Sequence, residues 1–182
     1  MADKQKYNPV SHHRRSIRLQ HYDYAGAGAY FITICTHNRK CMFGQVGAGS
    51  KPAQFHDTQF TNPMFLNKYG EIVIDTWEDL VNHITGIELD AFVIMPNHVH
   101  GIVVIGEAAP CSLSEIVRQL KTFSARRINK MRGTQGIPVW QRNYYEHIIR
   151  GEDDLNSLRE YIDNNPVNWQ LDENYPETPC NQ

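Results

Sequence analysis

Apolar and polar positions along the chain switch between two periods, and the switches mark out its elements. The run Tyr30-Phe-Ile-Thr-Ile-Cys-Thr36 is β-branched and aromatic, which predicts a strand. From Asn67 to Ile84, the positions Ile72, Val73, Thr76, Trp77, Leu80 and Ile84 follow helical spacing. Two more strands are predicted over residues 87–95 and 98–105. Pro96-Asn97 makes the bend between them, because proline offers no N–H to a ladder. Ser112 to Met131 predicts a helix. Ser112 and Glu115 have capping-box spacing, and Leu113, Ile116, Val117, Leu120, Phe123, Ile128 and Met131 form its apolar stripe. Val139 to Arg150 predicts a strand rich in aromatics. Glu152-Asp-Asp154 opens a last helix, with acids at the positive end of its dipole. Leu155, Leu158 and Ile162 anchor that helix, and Asn164-Asn165-Pro166 stops it.

The order β-α-β-β-α-β-α predicts an α+β fold of the ferredoxin-like (RRM-like) split βαβ type. That is a four-stranded antiparallel sheet with two helices on one face, here with an added C-terminal helix. A length of 182 residues suits one domain. We expect an extended basic arm over 1–28, a single domain over 29–169 with a loop insertion at about 45–62, and a tail over 170–182.

Composition is that of an ordinary globular protein, 41% hydrophobic and 21% charged, with a net charge of −2. The distribution of charge says more. Residues 1–42 carry seven Lys/Arg against two acids, and 43–111 carry two against eight. Residues 112–150 carry eight against two, and 151–182 one against eight. The two basic blocks would form a positive surface if they met in space; otherwise they are ordinary solvated faces. No 18-residue apolar run predicts a membrane span. Met1 to Arg18 lacks the apolar stretch of a secretory signal, which favours the cytoplasm. Cys35, Cys41, Cys111 and Cys180 show no CxxC spacing. Free thiols in a reducing compartment are the expectation.

The chemistry centres on Phe92-Val-Ile-Met-Pro-Asn-His-Val-His100. Alternate residues of a strand share a face, so His98 and His100 project together while Val99 points the other way. Two such imidazoles are half of a divalent-metal site, although structural histidines or hydrogen-bonded turn residues are the commoner reading of a lone His-x-His. On the last helix Tyr161 sits at the edge of the stripe, and Asn165 follows at i+4 on its face. That pair would suit a nucleophile beside an amide ligand, or merely a core-edge tyrosine before a helix stop.

Together these segments make the chain resemble the single-tyrosine transposases of the HUH superfamily, in particular the insertion-sequence-200-like and REP-associated tyrosine transposases. The resemblance runs through Tyr22-Asp-Tyr24, the strand Tyr30–Thr36 with Arg39 and Phe43-Gly44, and Ala91–Gly101. It continues through Trp140-Gln-Arg-Asn-Tyr-Tyr-Glu-His-Ile-Ile-Arg150 and Tyr161-Ile-Asp-Asn-Asn-Pro-Val167. It implies His98, His100 and Asn165 as metal ligands and Tyr161 as the nucleophile. The reaction it implies is a metal-assisted transesterification of single-stranded DNA, giving a 5′-phosphotyrosine and a free 3′-OH. Ligand softness favours Mn²⁺ or Zn²⁺, whereas the resemblance implies Mg²⁺ or Mn²⁺. The expected partner is single-stranded DNA with hairpin structure, with a homodimer as a candidate assembly and no membrane.

Phosphate contacts are expected from Arg14, Arg15, Arg18, Arg118, Lys121, Arg126 and Arg142. Trp140, Tyr144 and Tyr145 are candidates for base stacking or for sheet packing. Three other readings stay open: a related replication initiator or relaxase, a non-catalytic nucleic-acid-binding sheet domain using Tyr30, Phe31 and Phe92, and a hydrolase in which water attacks.

Overall fold

A computed structural model describes residues 26–47, 64–176 and 180. The expected strands and helices follow in order, with two short strands and a one-turn helix added before the second expected strand. Strand β1 (Gly28–Cys35) leads through a short 3-10 turn to β2 (Gly44–Val46), which pairs antiparallel with β3 (Met64–Leu66). Helices α1 (Lys68–Glu78) and α2 (Leu80–His83) precede β4 (Ile87–Ile94) and β5 (His98–Ile105). Helix α3 (Leu113–Met131), β6 (Tyr145–Ile148), α4 (Glu152–Asn164) and a 3-10 turn (Trp169–Leu171) complete the chain.

The main sheet has the order β4-β5-β1-β6 with every pair antiparallel, as in a split βαβ sandwich. Alternation assigns the two faces. Tyr30, Ile32, Ile34, Val99, Val103 and Ile105 face α1 and α3, where Val73, Trp77, Leu113, Ile116, Val117 and Leu120 close one core. Phe31 and Ile102 face the other way, where Ile162, Leu155 and Leu158 of α4 close a second, smaller core. Arg159 ties α4 to the sheet through a two-pronged bond to Asp90, at 2.9 and 2.6 Å, where β4 breaks register. Gly101 is required by close approach, since a Cβ there would meet the Trp77 ring at 2.7 Å. With both faces covered, Tyr30, Phe31 and Phe92 are not an open nucleic-acid platform. Tyr30 and Phe31 are buried, and Phe92 stacks on Trp77 at 4.2 Å.

Several sequence expectations are corrected. The predicted strand over 139–150 shrinks to β6, preceded by a lone bridge between Thr36 and Trp140. Lys121 explains the gap: its Nζ donates to the carbonyls of Gln141 and Arg142, at 2.6 and 3.0 Å. Trp140 is buried, donating to Ser124 Oγ at 2.9 Å and packing on Phe43, so it stacks in the core rather than on bases. The capping box on α3 is half made: Ser112 caps Glu115 N–H, but the Glu115 carboxylate turns to Arg118. Phe123 and Met131 lie outside the core. The expected insertion begins as strand β2, and residues 48–63 lie outside the described part. Cys41 and Cys180 form a disulfide across 139 residues, with Cα atoms 5.7 Å apart, while Cys35 and Cys111 are free. Among the described residues no helix is long and apolar enough to cross a membrane.

Candidate functional site

The start of β5 is held by an unusual amount of local structure. Met95–Asn97 form the tight turn from β4, closed by Met95 N–H donating to His98 O at 2.8 Å. Asn97 is fully buried. Its Nδ2 donates to the Arg39 carbonyl at 3.2 Å and to the Asn174 carbonyl at 2.8 Å. Arg39 and Asn38 both adopt left-handed backbone, φ 52° and 56°, a conformation that costs non-glycine residues energy. These two amide donations orient Asn97, so that its Oδ1 accepts from His98 Nδ1–H at 2.8 Å. Across the sheet His100 Nδ1 bonds Thr33 Oγ1, also at 2.8 Å.

Both rings therefore have Nδ1 engaged, and both turn Nε2 toward one point. The two Nε2 atoms stand 2.9 Å apart, and both side chains are buried. Burial pushes the His98 imidazole down to about 3, with the neighbouring His100 adding to the effect and Asp172 opposing it. Burial lowers His100 as well, again against Asp172. His98, with Nδ1–H given to Asn97, presents Nε2 as a lone pair, and His100 Nε2 meets it at the same point, an arrangement that suits a metal ion.

Helix α4 brings the next two residues. Tyr161 is 45% exposed, and its hydroxyl lies 3.5 Å from His100 Nε2 in the same chain. Burial raises its phenol to about 12, with help from the charges of Asp172 and Glu173. Asn165, one turn on, is buried. Its Nδ2 donates to Asp172 Oδ2 at 3.0 Å, while its Oδ1 is buried without a hydrogen-bond partner among the described residues. An orphaned buried carbonyl oxygen on a residue that binds Asp172 fits a metal ligand.

Asp172 was missed by sequence reasoning, which left residues past 169 as a tail. The 3-10 turn packs Trp169 against His98, at 5.8 Å between rings, and delivers the Asp172 carboxylate to the site. Its Oδ2 lies 3.9 Å from His98 Nε2, 4.0 Å from His100 Nε2 and 3.5 Å from the Tyr161 hydroxyl. Burial works against its ionisation, but His100, His98, Asn174 N–H and the Asn165 amide outweigh that and hold it well below the usual carboxylate range. His98, His100 and Asp172 offer ligand atoms all within 4.8 Å of one another, a group that could hold a metal ion. The one sequence signal for Asp172 was its place in the acidic C-terminal block, which does not single it out.

The expected phosphate contacts are dispersed. Arg14, Arg15 and Arg18 lie outside the described residues. Lys121 is revised to a structural role, because its ammonium is half-buried and occupied by two carbonyls. Arg118 pairs with Glu115 on the exposed side of α3, and Arg126 and Arg142 are exposed. Tyr144 packs against the main core, whereas Tyr145 is 49% exposed on β6.

The chain resembles known proteins along most of its length. An uncharacterised protein of Haemophilus influenzae is 39% identical over 193 residues, covering 93% of this chain and 97% of that relative. The solved REP-associated tyrosine transposase bound to a REP hairpin has the same fold, with a TM-score of 0.58 at 19% identity, over 86% of this chain and 77% of that one. The model of the family described as transposase, IS200-like, matches residues 60–165, more than half of the chain. On that match, carried by the segment that holds His98, His100, Tyr161 and Asn165, this protein belongs to the IS200-like transposase family.

Proposed function

We propose that the protein cuts and rejoins single-stranded DNA through a covalent tyrosine intermediate, with His98, His100, Asn165 and Asp172 holding a divalent metal, Mg²⁺ or Mn²⁺. The observation that carries this is the convergence of groups from two distant segments, β5 and the end of α4 with the turn that follows it. The two Nε2 atoms and the Asp172 carboxylate surround one point, Asn165 lies against Asp172 with its Oδ1 buried and unpartnered among the described residues, and the Tyr161 hydroxyl is 3.5 Å from both His100 Nε2 and Asp172 Oδ2.

A divalent ion bound there would polarise the scissile phosphate and neutralise charge developing on its oxygens. The remaining work belongs to the protein. Tyr161 attacks phosphorus through its phenolic oxygen and loses its proton. The P–O3′ bond breaks, and the departing 3′ oxygen takes up a proton to become a free hydroxyl. The new phosphotyrosyl bond keeps the energy of the old one, so a 3′-OH can later attack it and restore Tyr161. Phe31 buttresses the nucleophile, edge-on to the Tyr161 ring at 5.9 Å and stacked on His100 at 5.3 Å. Asp172 opposes premature ionisation, since its charge helps keep the phenol protonated.

The hairpin named for the structurally similar REP-associated transposase makes hairpin-flanked single strands the first substrate to try. Exposed Arg118, Arg126 and Arg142, with Arg14, Arg15 and Arg18, would meet its phosphates. The protein is incubated with Mn²⁺ and 3′-labelled hairpin oligonucleotides, then denatured and run on a gel. A labelled adduct that survives denaturation, and that Tyr161→Phe abolishes, is the expected result. Cleavage without any adduct would instead support attack by water. A homodimer is not needed to complete this site, because every group named comes from one chain.

A further inference from the structure

A cavity of about 580 Å³ opens beside the metal-ligand cluster, between the β1–β6 edge of the sheet and α4. That volume is in the range of sites built for small organic ligands, roughly 300–1,000 Å³. His100 and Tyr161 form one end of it, and His147 and Asp154 the other. On α4, Asp154 and Tyr161 are seven residues apart, about 10 Å along the axis, so the cavity spans the length of a nucleotide.

Its walls have the chemistry of a base-reading site. Gln141 and Asn143 line it, and neither side-chain amide has a hydrogen-bond partner among the described residues. The backbone through Gln141 and Arg142, which leads into Asn143, is nonetheless fixed. Lys121 binds the carbonyls of Gln141 and Arg142, and Gln141 N–H donates to Cys35 O at 2.9 Å. Free amides on a pinned backbone, off the ladder, present both donors and acceptors to whatever enters. Tyr145, half-exposed on β6, adds an aromatic wall. At the far end His147 Nε2 lies 3.0 Å from Asp154 Oδ2, and Arg150 N–H donates to the same carboxylate at 2.9 Å. Asp154 thus accepts from His147 Nε2–H and holds that ring in place at the end of the cavity.

We infer that this cavity seats the base of one nucleotide directly flanking the scissile phosphate, and that Gln141, Asn143 and His147 read its polar edge. The inference rests on the tyrosine chemistry proposed above and adds a protein-made sequence preference to it.

The test uses a library of hairpin-bearing single-stranded DNA, randomised on the 3′ side of the hairpin. Wild-type protein and the variants Asn143→Ala, Gln141→Ala and His147→Ala are each given the library with Mn²⁺. The strand trapped on the protein and the released strand are both sequenced, which identifies the bases on either side of the break. Wild type should favour one base at one flanking position by at least about fivefold, the lower end of what one well-paired polar edge discriminates. The variants should flatten that ratio at that position alone, whatever their total yield. Because the readout is a ratio within each sample, reduced folding of a variant does not imitate it, and Asn143 is exposed in any case. Adducts with no preference at either flanking base, or a preference that survives all three substitutions, would overturn the pocket while leaving the tyrosine chemistry intact. No adduct from any library member would overturn the tyrosine chemistry and the pocket with it.

Discussion

The hydroxyl of Tyr161 lies 3.5 Å from Nε2 of His100 within one chain, although 61 residues separate the two in sequence. Helix α4 sets this approach by laying Leu155, Leu158 and Ile162 on Phe31 and Ile102, which leaves Tyr161 at the edge of that contact. The hydroxyl makes only long polar contacts, so its loss should cost little in folding, under about 1 kcal/mol. Tyr161→Phe is therefore expected to melt within a few degrees of wild type and to form no DNA adduct. A variant that still traps DNA covalently would exclude Tyr161 as the nucleophile.

Metal should stabilise the fold, because the ligand set exists only when β5, α4 and the 3-10 turn are assembled. At Mn²⁺ a hundredfold above its Kd, the gain is about 2.7 kcal/mol, readable as a rise in Tm by scanning calorimetry. EDTA should reverse the rise, and His100→Ala should show none. An equal rise in His100→Ala would place the ion elsewhere.

Asn97 touches no reacting atom, yet it fixes the tautomer of His98 and holds both Arg39 and Asn174. Removing such an outer partner commonly weakens metal binding by about 10- to 100-fold. Asn97→Ala should show that loss in a calorimetric Mn²⁺ titration while keeping the secondary structure seen by circular dichroism. Unchanged affinity would mean that His98 needs no orienting partner.

The metal-free protein should lose stability on acidification. His98 titrates near 3 in the fold, against about 6.5 when unfolded, and His100 is shifted in the same direction. The unfolded chain takes up protons first as pH falls below about 6.5. Each histidine then withdraws at most about 1.4 kcal/mol per pH unit until its folded value is reached. Asp172, whose folded carboxyl is held low, adds loss in the same direction below about pH 4. Chelator-treated protein should show a level Tm from pH 8 to 7 and a falling one from pH 6 to 4. A level Tm throughout would contradict neutral buried imidazoles.

Asp172→Asn removes a charge that faces both the imidazoles and the phenol. The Tyr161 phenol, raised to about 12, should titrate lower, because burial remains but the carboxylate no longer opposes its ionisation. Mn²⁺ affinity should fall at the same time. NMR of ring-labelled tyrosine and a metal titration read the two effects separately. An unmoved phenol would show that burial and Glu173, not Asp172, raise it.

Much of this was legible in the chain before any coordinates. Periodicity alone fixed the order of strands and helices, since a period of two or of 3.6 is a local property that the core faces impose on neighbouring residues. Strand alternation determined that His98 and His100 share a face, and helix geometry that Tyr161 and Asn165 do. What local patterns do not carry is the distance between segments. Only the tertiary structure brought α4 to the histidine face of the sheet, assembling Tyr161 with His100 in one chain. It also turned Asn97, outwardly a turn residue beside Pro96, into the group that sets the His98 tautomer. Asp172 entered the site because Trp169 packs on His98, a contact with no periodic signature. Lys121, basic in sequence, became a backbone clamp, because a charge count does not say which carbonyls a folded chain leaves within reach. The sequence determined which residues share a face; the packing of those faces decided which of them meet.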